Sequence, residues 1–402
     1  MSDRRYGLWL VGACGGVGTT IALGLAALGK KLTDTTSLVT ELPLFEGVSL
    51  VQPGQFVVGG HEIREAGFRQ TASEMHERAG VFHESLLAAC SDTLEAWEKN
   101  LRPGTLLACG ETIAKLSDRP GINLAETPAA AIERIKADLL AFKKEHNLDD
   151  VVVLSVASTE PPFPTGPEHQ SLALLEPLLS RANNPVLPAS SLYAYAALDL
   201  GLPYVNFTPC LGATMPALEE LAIKRGTVIA GKDGKTGETL MKTVLAPMFH
   251  HRNWRILSWV GHNIFGNRDG VVLDDPRNKA AKVGHKDAVV SSIVGYKPNT
   301  LVSIEYIPSM DDWKTAWNHI HFQGFLGTKM ILQFIWQGCD SLLAAPLAID
   351  LARMALLARS RKETGVLSHL SCFFKGPQGC TENDFFKQFI MLEEYVTTCR
   401  DC

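Results

Sequence analysis

The sequence predicts an α/β protein in which a doubly wound parallel sheet carries a smaller inserted domain of mixed α and β structure. Three observations support this fold class. Short apolar runs alternate with helix-like segments along the first half of the chain, as in sheets whose parallel strands are joined by helices. A glycine-rich stretch separates the first apolar run from the first helix-like segment. After Gly231 the pattern changes to glycines and lysines, followed by apolar runs that alternate with a period of two residues.

The strands and helices of the predicted sheet follow each other in turn. The apolar runs that we predict as strands are 6–11, 106–109, 151–156, 185–187 and 204–207. The segments that we predict as helices are 19–28, 85–100, 128–145 and 192–200. Because such a sheet binds ligands beyond the carboxyl ends of its strands, we expect the functional residues in the loops that follow the strands.

The inserted domain is predicted from residues 231–339. The regular elements that we predict in the second part of the chain are strands at 255–260 and 301–306 and helices at 341–360 and 384–397. We expect the two helices to pack back onto the first sheet. Residues 1–230 and 340–402 would then form the first domain, and the insertion would form the second.

Composition limits the function classes. With 402 residues, 46% of them hydrophobic and 20% charged, the chain resembles a globular protein with room for two domains. Its formal net charge of −5 argues against general nucleic-acid or membrane-surface binding, and we expect neither partner. The first apolar run leads directly into glycines, which indicates a buried strand and not a signal peptide, and no other run reaches the roughly 18 apolar residues of a membrane span. The nine cysteines are scattered and odd in number, which indicates reduced thiols in a cytoplasmic protein.

The glycine-rich stretch GACGGVGT begins at Gly12, follows a predicted strand and opens a predicted helix. Glycines at 12, 15 and 18 permit a tight turn and a close approach of the backbone to a pyrophosphate at the helix N-terminus. Cys14 occupies the second glycine position of a strict GxGxxG motif, so the match is to the looser GxxGxxG spacing. A plain structural turn is the alternative, but the context favours a dinucleotide site. The candidate cofactor-binding residues here are Gly12, Gly15, Gly16, Val17, Gly18 and Thr19.

Three further segments are candidates for contacts with the dinucleotide. Glu41 lies about twenty residues past the loop, where a carboxylate at the end of the second strand would bind the adenosine ribose. A surface carboxylate is an equally good interpretation of this residue. Two loops that follow later strands are ASTE at 157–160 and NFTP at 206–209. The first of them contains Ser158 and Thr159. Their hydroxyl groups suit contacts with the nicotinamide half, or alternatively helix caps and turns.

Lysines recur at conspicuous positions outside the predicted helix surfaces. The polar turn GNRDG precedes Lys282 and Lys286, whose spacing of four puts two like charges on one face if the segment is helical. Each lysine taken singly is more often a surface charge than a ligand group. Together, in a chain of net negative charge, they indicate a pocket for a phosphate and an oxyanion, and lysine also permits proton transfer because burial lowers its pKa. The set comprises Lys232, Lys235, Lys282, Lys286, Lys314 and Lys375.

The order of these motifs resembles the myo-inositol-1-phosphate synthase family over essentially the whole chain. The motifs that carry the resemblance are the glycine loop, ASTE, NFTP, IAGKDGKTGET, GNRDG, the pair Lys282 and Lys286, DDWK, CDSLLAAPLAIDL and LSCFFKGP. The resemblance implies a Rossmann-type domain that binds NAD, an inserted catalytic and tetramerisation domain, and a C-terminal return to the first domain. It also implies a homotetramer.

Site residues follow from the resemblance position by position. Four lysines match the family's active-site lysines: Lys282, Lys286, Lys314 and Lys375. Asp269 and Asp340 match its acidic positions near the nicotinamide and the lysines. The remaining matches, to the GDDxKSGQT-like stretch and the turn before the lysine pair, are Asp233, Lys235, Thr236 and Asn267. The chain departs from the family at the glycine loop, at Lys232 in place of an acid, and at Arg268 in place of asparagine.

The reaction that the resemblance implies is a redox-neutral cyclisation of D-glucose 6-phosphate to 1D-myo-inositol 3-phosphate. NAD+ takes a hydride from C5, the ketone acidifies the C6 protons, the enolate attacks the C1 aldehyde, and NADH returns its hydride to C5. Our hypothesis is that Lys282 serves proton transfer at the C5 oxygen and that Lys375 polarises the C1 carbonyl. Lys286 and Lys314 would stabilise the enolate and hold the phosphate.

Other functions stay open at this point. A family cyclase acting on a ketose phosphate, an NAD-dependent sugar-phosphate dehydrogenase and a non-catalytic NAD-binding regulator each account for part of the pattern. A Schiff base at one lysine is a mechanistic alternative. Whether a metal ion is required is unknown, although the spacing of the histidines at 319 and 321 disfavours a shared ion.

Overall fold

A computed structural model describes residues 4–181, 185–273 and 289–400. Seven strands form a parallel sheet: β1 Tyr6–Val11, β2 Phe56–Glu62, β3 Leu101–Pro103, β4 Asp150–Ser155, β5 Tyr204–Asn206, β6 Val228–Gly231 and β11 Gly365–Val366. Their order is β11-β6-β5-β4-β1-β2-β3, so the chain moves outward from β1 in both directions. This change of direction between β1 and β4 is the topological switch point at which doubly wound sheets bind their ligands.

Helices cover both faces of this sheet, and the central strands are therefore apolar along their whole length. Leu8, Leu10, Val152 and Leu154 have no exposed surface. The helices that surround the sheet are α1 Gly16–Gly29, α2 Phe68–Ala79, Glu84–Glu98, Glu111–Ala114, Pro128–Glu145, Leu172–Leu175, Ala189–Asp199, Pro216–Arg225, Asp340–Ser360 and Phe385–Arg400.

A second, four-stranded sheet has the order β10-β9-β7-β8. Its strands are β7 Arg255–Phe265, β8 Asn299–Tyr306, β9 Trp313–Gln323 and β10 Lys329–Cys339. The helix Glu238–His251 packs on one face, where Phe249, Trp259 and Ile320 form a separate core. A short helix Arg268–Leu273 follows β7, and residues 289–294 are also helical. The other face of this sheet is not covered by the described part of the chain.

The predicted α/β fold with a parallel sheet is confirmed, but the element predictions are uneven. The predicted strands at 106–109 and 185–187 are wrong, because these apolar runs are turns and bends that pack on the core. β2 was not predicted. It contains Gly59 and Gly60, which weaken a strand signal, yet a Cβ at Gly60 would lie 2.2 Å from the carbonyl oxygen of Leu10.

The boundary between the two predicted domains falls within β6, because this strand of the first sheet ends one residue after position 230. The helix Asp340–Ser360 follows directly on β10 of the second sheet and packs on α1 of the first. The division into 1–230 with 340–402 and 231–339 stays a prediction.

One described helix, Asp340–Ser360, is long and apolar enough to cross a membrane by length and composition alone. Its most apolar window is 78% buried inside the fold. It packs against α1 and against the strands of the first sheet. Its apolar character is therefore that of a core helix.

Candidate active site

A cavity of about 340 Å³ lies beyond the carboxyl ends of β1, β4, β5 and β6. The loops of the first sheet form one wall, and segments next to the second sheet form the other. The lining residues from the first wall include Gly15, Gly16, Val17, Ser158, Thr159, Thr208, Asp233, Thr236 and Lys375. Those from the second wall include Asn267, Arg268, Asp269, Asp311, Asp312 and Asp340. The position of the cavity is the one that the sheet topology predicts for a ligand.

The glycine loop has the close packing that a pyrophosphate site requires. Gly12 has a φ of +82°, and a Cβ there would lie 2.7 Å from the Cα of Ala157. A Cβ at Gly18 would lie 2.3 Å from the carbonyl oxygen of Ala13, so only glycine permits this turn into α1. Gly15, the N-cap of α1, has no side chain to accept the first N–H groups of the helix, which suits them to a phosphate. The loop therefore fits a dinucleotide.

Two of the predicted loop residues serve the loop itself. Gly18 is buried under Ala13, and Thr19 is fully buried and donates its backbone N–H to the carbonyl oxygen of Gly15, at 2.9 Å. Neither residue lines the cavity, and nor does Gly12. Gly15, Gly16 and Val17 do, and a ligand contact is therefore expected from these three.

The prediction that Glu41 ends the second strand is wrong. Glu41 lies in a short 3-10 helix, pairs with Arg353 at 2.6 Å and does not line the cavity. The second strand instead ends at Glu62, because a long connection precedes β2. One oxygen of the Glu62 carboxylate accepts the backbone N–H of Cys14 at 2.7 Å, and the other accepts that of Arg64 at 3.1 Å. Glu62 thus holds the strand end that was expected for Glu41, although it does not line the cavity either, and the acid that ends FVVGGHE is the signal that could have identified it.

The second wall brings acidic side chains to the loop after β4. The hydroxyl of Thr159 donates to Oδ1 of Asp269 at 3.4 Å. Asn267 donates to Oδ1 of Asp312 at 3.1 Å. The carboxylate of Asp312 also accepts the backbone N–H and the hydroxyl of Ser341, each at 3.0 Å, and burial raises its pKa. Asp312 was missed in the sequence, although the DDWK motif contains it.

The lysines occupy different environments. Nζ of Lys375 lies 2.8 Å from Oδ1 of Asp233, and both residues line the cavity. Nζ of Lys314 lies 3.9 Å from Oδ1 of Asp340 and 5.3 Å from the centre of the Phe265 ring. Lys314 does not itself line the cavity, but its partner Asp340 does.

Lys235 points away from the cavity. Its ammonium donates to Oε1 of Gln388 at 2.5 Å, and burial lowers the pKa of Lys235 to about 8. Its backbone N–H donates to the carbonyl oxygen of Phe373 at 2.8 Å, while that of Lys375 donates to the carbonyl oxygen of Asp233 at 2.6 Å. The IAGKDGKTGET and LSCFFKGP stretches are therefore paired through their backbones, which places Lys375 beside Asp233.

Two predicted site residues, Lys282 and Lys286, lie outside the described residues. Within the described ranges, no group of three or more His, Cys, Asp or Glu side chains is arranged to hold a metal ion.

Sequence comparison identifies the family. A family model described as myo-inositol-1-phosphate synthase matches residues 6–397. The chain belongs to this family. This match confirms the family resemblance from which the site residues were chosen. It also confirms NAD as the cofactor, because the family model is that of an NAD-binding domain.

Individual members of the myo-inositol-1-phosphate synthase family cover nearly the whole chain. The inositol-3-phosphate synthase 1 of Bacteroides thetaiotaomicron is 35% identical, and the match covers 97% of this chain and 94% of the relative. The inositol-3-phosphate synthase 1 of Oryza sativa subsp. japonica is 32% identical, and the match covers 98% of this chain and 86% of the relative. The solved structure of inositol-3-phosphate synthase from Caenorhabditis elegans has a TM-score of 0.87 at 25% identity and covers 99% of this chain and 86% of that one. These relatives do not favour the plain dehydrogenase or the cyclase of another sugar phosphate.

Proposed function

We propose that the protein is an inositol-3-phosphate synthase, an NAD-dependent isomerase that cyclises D-glucose 6-phosphate to 1D-myo-inositol 3-phosphate. The observation that carries this proposal is the joining of a glycine-rich dinucleotide loop and the Lys375–Asp233 pair in one cavity. The curated relatives named inositol-3-phosphate synthase support the same reaction. Bound NAD would accept a hydride from the substrate and return it, so that no net oxidation occurs.

Gly15, Gly16 and Val17 would hold the pyrophosphate of NAD through the N-terminus of α1. Glu62, the carboxylate at the end of the second strand, does not line the cavity and would instead hold the glycine loop in place through the backbone N–H of Cys14. Ser158 and Thr159 would face the nicotinamide half, with Asp269 fixed by its contact with Thr159.

Lys375 would polarise the C1 carbonyl during ring closure. Its contact with Asp233 orients the ammonium, so that it can donate a hydrogen bond to the oxygen on which negative charge develops. Lys314, held near Asp340, would stabilise the enolate oxygen or hold the phosphate. The assignments of Lys282 to proton transfer at the C5 oxygen and of Lys286 to the enolate and phosphate stay as the sequence predicts them.

Lys235 is better suited to positioning than to substrate contact. It is buried against Gln388 and next to the backbone pairing that holds Lys375. Asn267 likewise holds Asp312, and since both line the cavity they would lie close to a bound substrate. Thr236 lines the cavity and would donate to the phosphate.

The proposed reaction is tested by incubating the protein with glucose 6-phosphate and NAD+, while product and NADH are followed in parallel. Formation of an inositol phosphate without accumulation of NADH is expected. Net NADH accumulation would identify a dehydrogenase instead. Product from a ketose phosphate but not from glucose 6-phosphate would identify a different cyclase.

We also propose that the protein is a homotetramer whose contacts involve the open face of the second sheet. Trp317 of β9 and Ile335 of β10 are paired on this face and are 41% and 66% exposed. Ile331 lies on the same face and is 59% exposed. Large apolar side chains exposed on an uncovered sheet face indicate a protein contact.

We assign the protein to the cytoplasm. The eight cysteines among the described residues are free thiols, and most of them are buried. Thiols in this state are typical of a reducing compartment.

A further inference from the structure

Three contacts join α2 to the segments next to the second sheet. Nη2 of Arg268 lies 3.2 Å from Oε2 of Glu74. Nη2 of Arg78 lies 2.6 Å from Oδ1 of Asp311. The indole N–H of Trp313 donates to the carbonyl oxygen at the C-terminal end of α2, at 2.7 Å.

The two ion pairs belong to the cavity and not to a remote surface. Glu74 and Arg78 are one helical turn apart on α2, and both line the cavity, as do Arg268 and Asp311. α2 also contacts the glycine loop, because the hydroxyl of Thr71 donates to the carbonyl oxygen of Cys14 at 3.3 Å. One helix therefore lies against the pyrophosphate loop and is tied to the opposite wall.

We propose that these two ion pairs act as a clamp that retains the reduced dinucleotide between the two hydride transfers. The proposal rests on the function proposed above, in which the hydride taken from the substrate must return to the same molecule. NADH that left the cavity after the first transfer would leave an oxidised intermediate without its reductant. Contacts that bridge the two walls slow this escape without touching the reacting atoms.

Arg268 is the part of the clamp that departs from the family motif. It stands where the resemblance leads one to expect asparagine, and an amide at this position is too short to replace the contact that the guanidinium makes with Glu74. The departure from the family pattern therefore adds a connection between the two walls.

The first test measures the dissociation of NADH from the purified protein in the absence of substrate. The protein is loaded with NADH, excess NAD+ is added, and the loss of bound NADH is followed by its fluorescence. For Arg268→Asn or Arg78→Gln alone we expect the dissociation rate to rise about two- to fivefold, as for the loss of one partly exposed ion pair, and about tenfold for both together.

Arg69→Gln is the matched control. Arg69 also lies on α2 and pairs with Glu95 at 2.9 Å, with a similar side-chain exposure of 43% against 49% for Arg268. Its pair lies outside the cavity lining. An unchanged dissociation rate in this control, together with a rise in the clamp variants, supports the proposal. Equal rates in all variants, or an equal rise in the control, would overturn it.

A charge reversal separates the ion pair from general loosening of the fold. Arg268→Glu should accelerate NADH release, and adding Glu74→Arg to it should restore slow release. If Arg268→Glu accelerates NADH release and the double variant does not restore slow release, the ion pair is not the cause of NADH retention.

The second test measures escape during turnover. An NADH-consuming enzyme is added to trap any NADH that leaves the protein. The measured quantity is the ratio of trapped NADH to inositol phosphate formed, and it is compared between the wild type and the Arg268→Asn/Arg78→Gln variant. We expect a rise of about tenfold in this ratio, and an unchanged ratio contradicts the clamp. Absence of any inositol phosphate from the wild type would refute the proposed function instead, while the dissociation measurement would still decide the clamp.

Discussion

Lys375 reaches the cavity from a loop after β11, and Asp233 reaches it from the loop after β6. The two loops are joined by backbone hydrogen bonds, so the 2.8 Å contact between ammonium and carboxylate is held by both ends. The sequence identified both residues through the family motifs. It did not show that they are paired, because 142 positions separate them along the chain.

At the scale of single residues, we expect Lys375→Met to lower turnover by at least about 100-fold, as for loss of a positioned donor or acid. The reason is that methionine fills a similar volume but cannot stabilise a developing oxyanion. Inositol phosphate formation measures turnover, and NADH fluorescence checks that the cofactor still binds. Lys115→Met, at an exposed lysine outside the cavity, is the control. Near-normal turnover in a folded, cofactor-bound Lys375→Met protein would contradict the assigned role.

The buried imidazole of His61 should make the free energy of unfolding depend on pH. The indole of Trp9 can only donate, so Nδ1 of His61 accepts this bond at 2.8 Å, and Nε2 carries the proton that is donated to Asp138 at 3.0 Å. Burial lowers the pKa of His61 below its ordinary value of 6.5. The unfolded chain therefore binds the proton more readily, and His61 contributes stability above pH 6.5 that is lost as the pH falls toward the folded-state pKa.

We expect the free energy of unfolding to decrease by about 1 kcal/mol more in the wild type than in His61→Gln between pH 7.5 and pH 5.5. Glutamine retains an acceptor for Trp9 and a donor for Asp138 but does not titrate. Urea unfolding at both pH values measures the difference. Parallel decreases in the two proteins would show that His61 is not responsible.

At the scale of elements, the strength of the local pattern separates the correct predictions from the wrong ones. β1 and the helix Pro128–Glu145 were predicted with the observed bounds, because an apolar run before glycines and a proline at a helix start are local signals. β2 was missed because its glycines are required by contacts with β1. The error at Glu41 followed from this, since the position of a ribose carboxylate depends on where the second strand ends.

The helix Glu238–His251 contains a buried ion pair that no local pattern identifies as buried. Nζ of Lys242 lies 3.2 Å from Oε1 of Glu238, and the two side chains are 2% and 1% exposed. In the sequence the pair has the same four-residue spacing as pairs on solvated helix surfaces. Only the packing of this helix on the second sheet removes it from water.

We expect Lys242→Met to lower the free energy of unfolding by about 3–5 kcal/mol, because it leaves the buried carboxylate of Glu238 without its cation. The double variant Glu238→Gln/Lys242→Met should recover most of this loss, because both charges are then removed. Urea unfolding of the single and double variants gives the comparison. A double variant no more stable than Lys242→Met would show that the unpaired carboxylate is not the cause of the loss.

At the scale of the whole molecule, the open face of the second sheet predicts assembly. We expect Ile335→Glu to shift the protein to smaller species, because it places a charge in the proposed apolar contact. Light scattering after size-exclusion chromatography measures the mass. Leu140→Glu is the control, since Leu140 is 53% exposed on the helix Pro128–Glu145, which packs on the first sheet and not on the second. An unchanged mass for Ile335→Glu, or an equal shift in the control, would place the contact elsewhere.

The sequence by itself determined the fold class, the dinucleotide loop, the family and a part of the cavity lining, because these depend on local spacing and on motifs in a fixed order. The tertiary structure decided which residues meet. It placed Glu62, and not Glu41, at the end of the second strand, turned Lys235 toward Gln388, and added Asp312 and the contacts of α2 with the opposite wall. The physical reason is that burial and pairing depend on contacts between segments far apart in the chain, and spacing along a single segment carries no record of them.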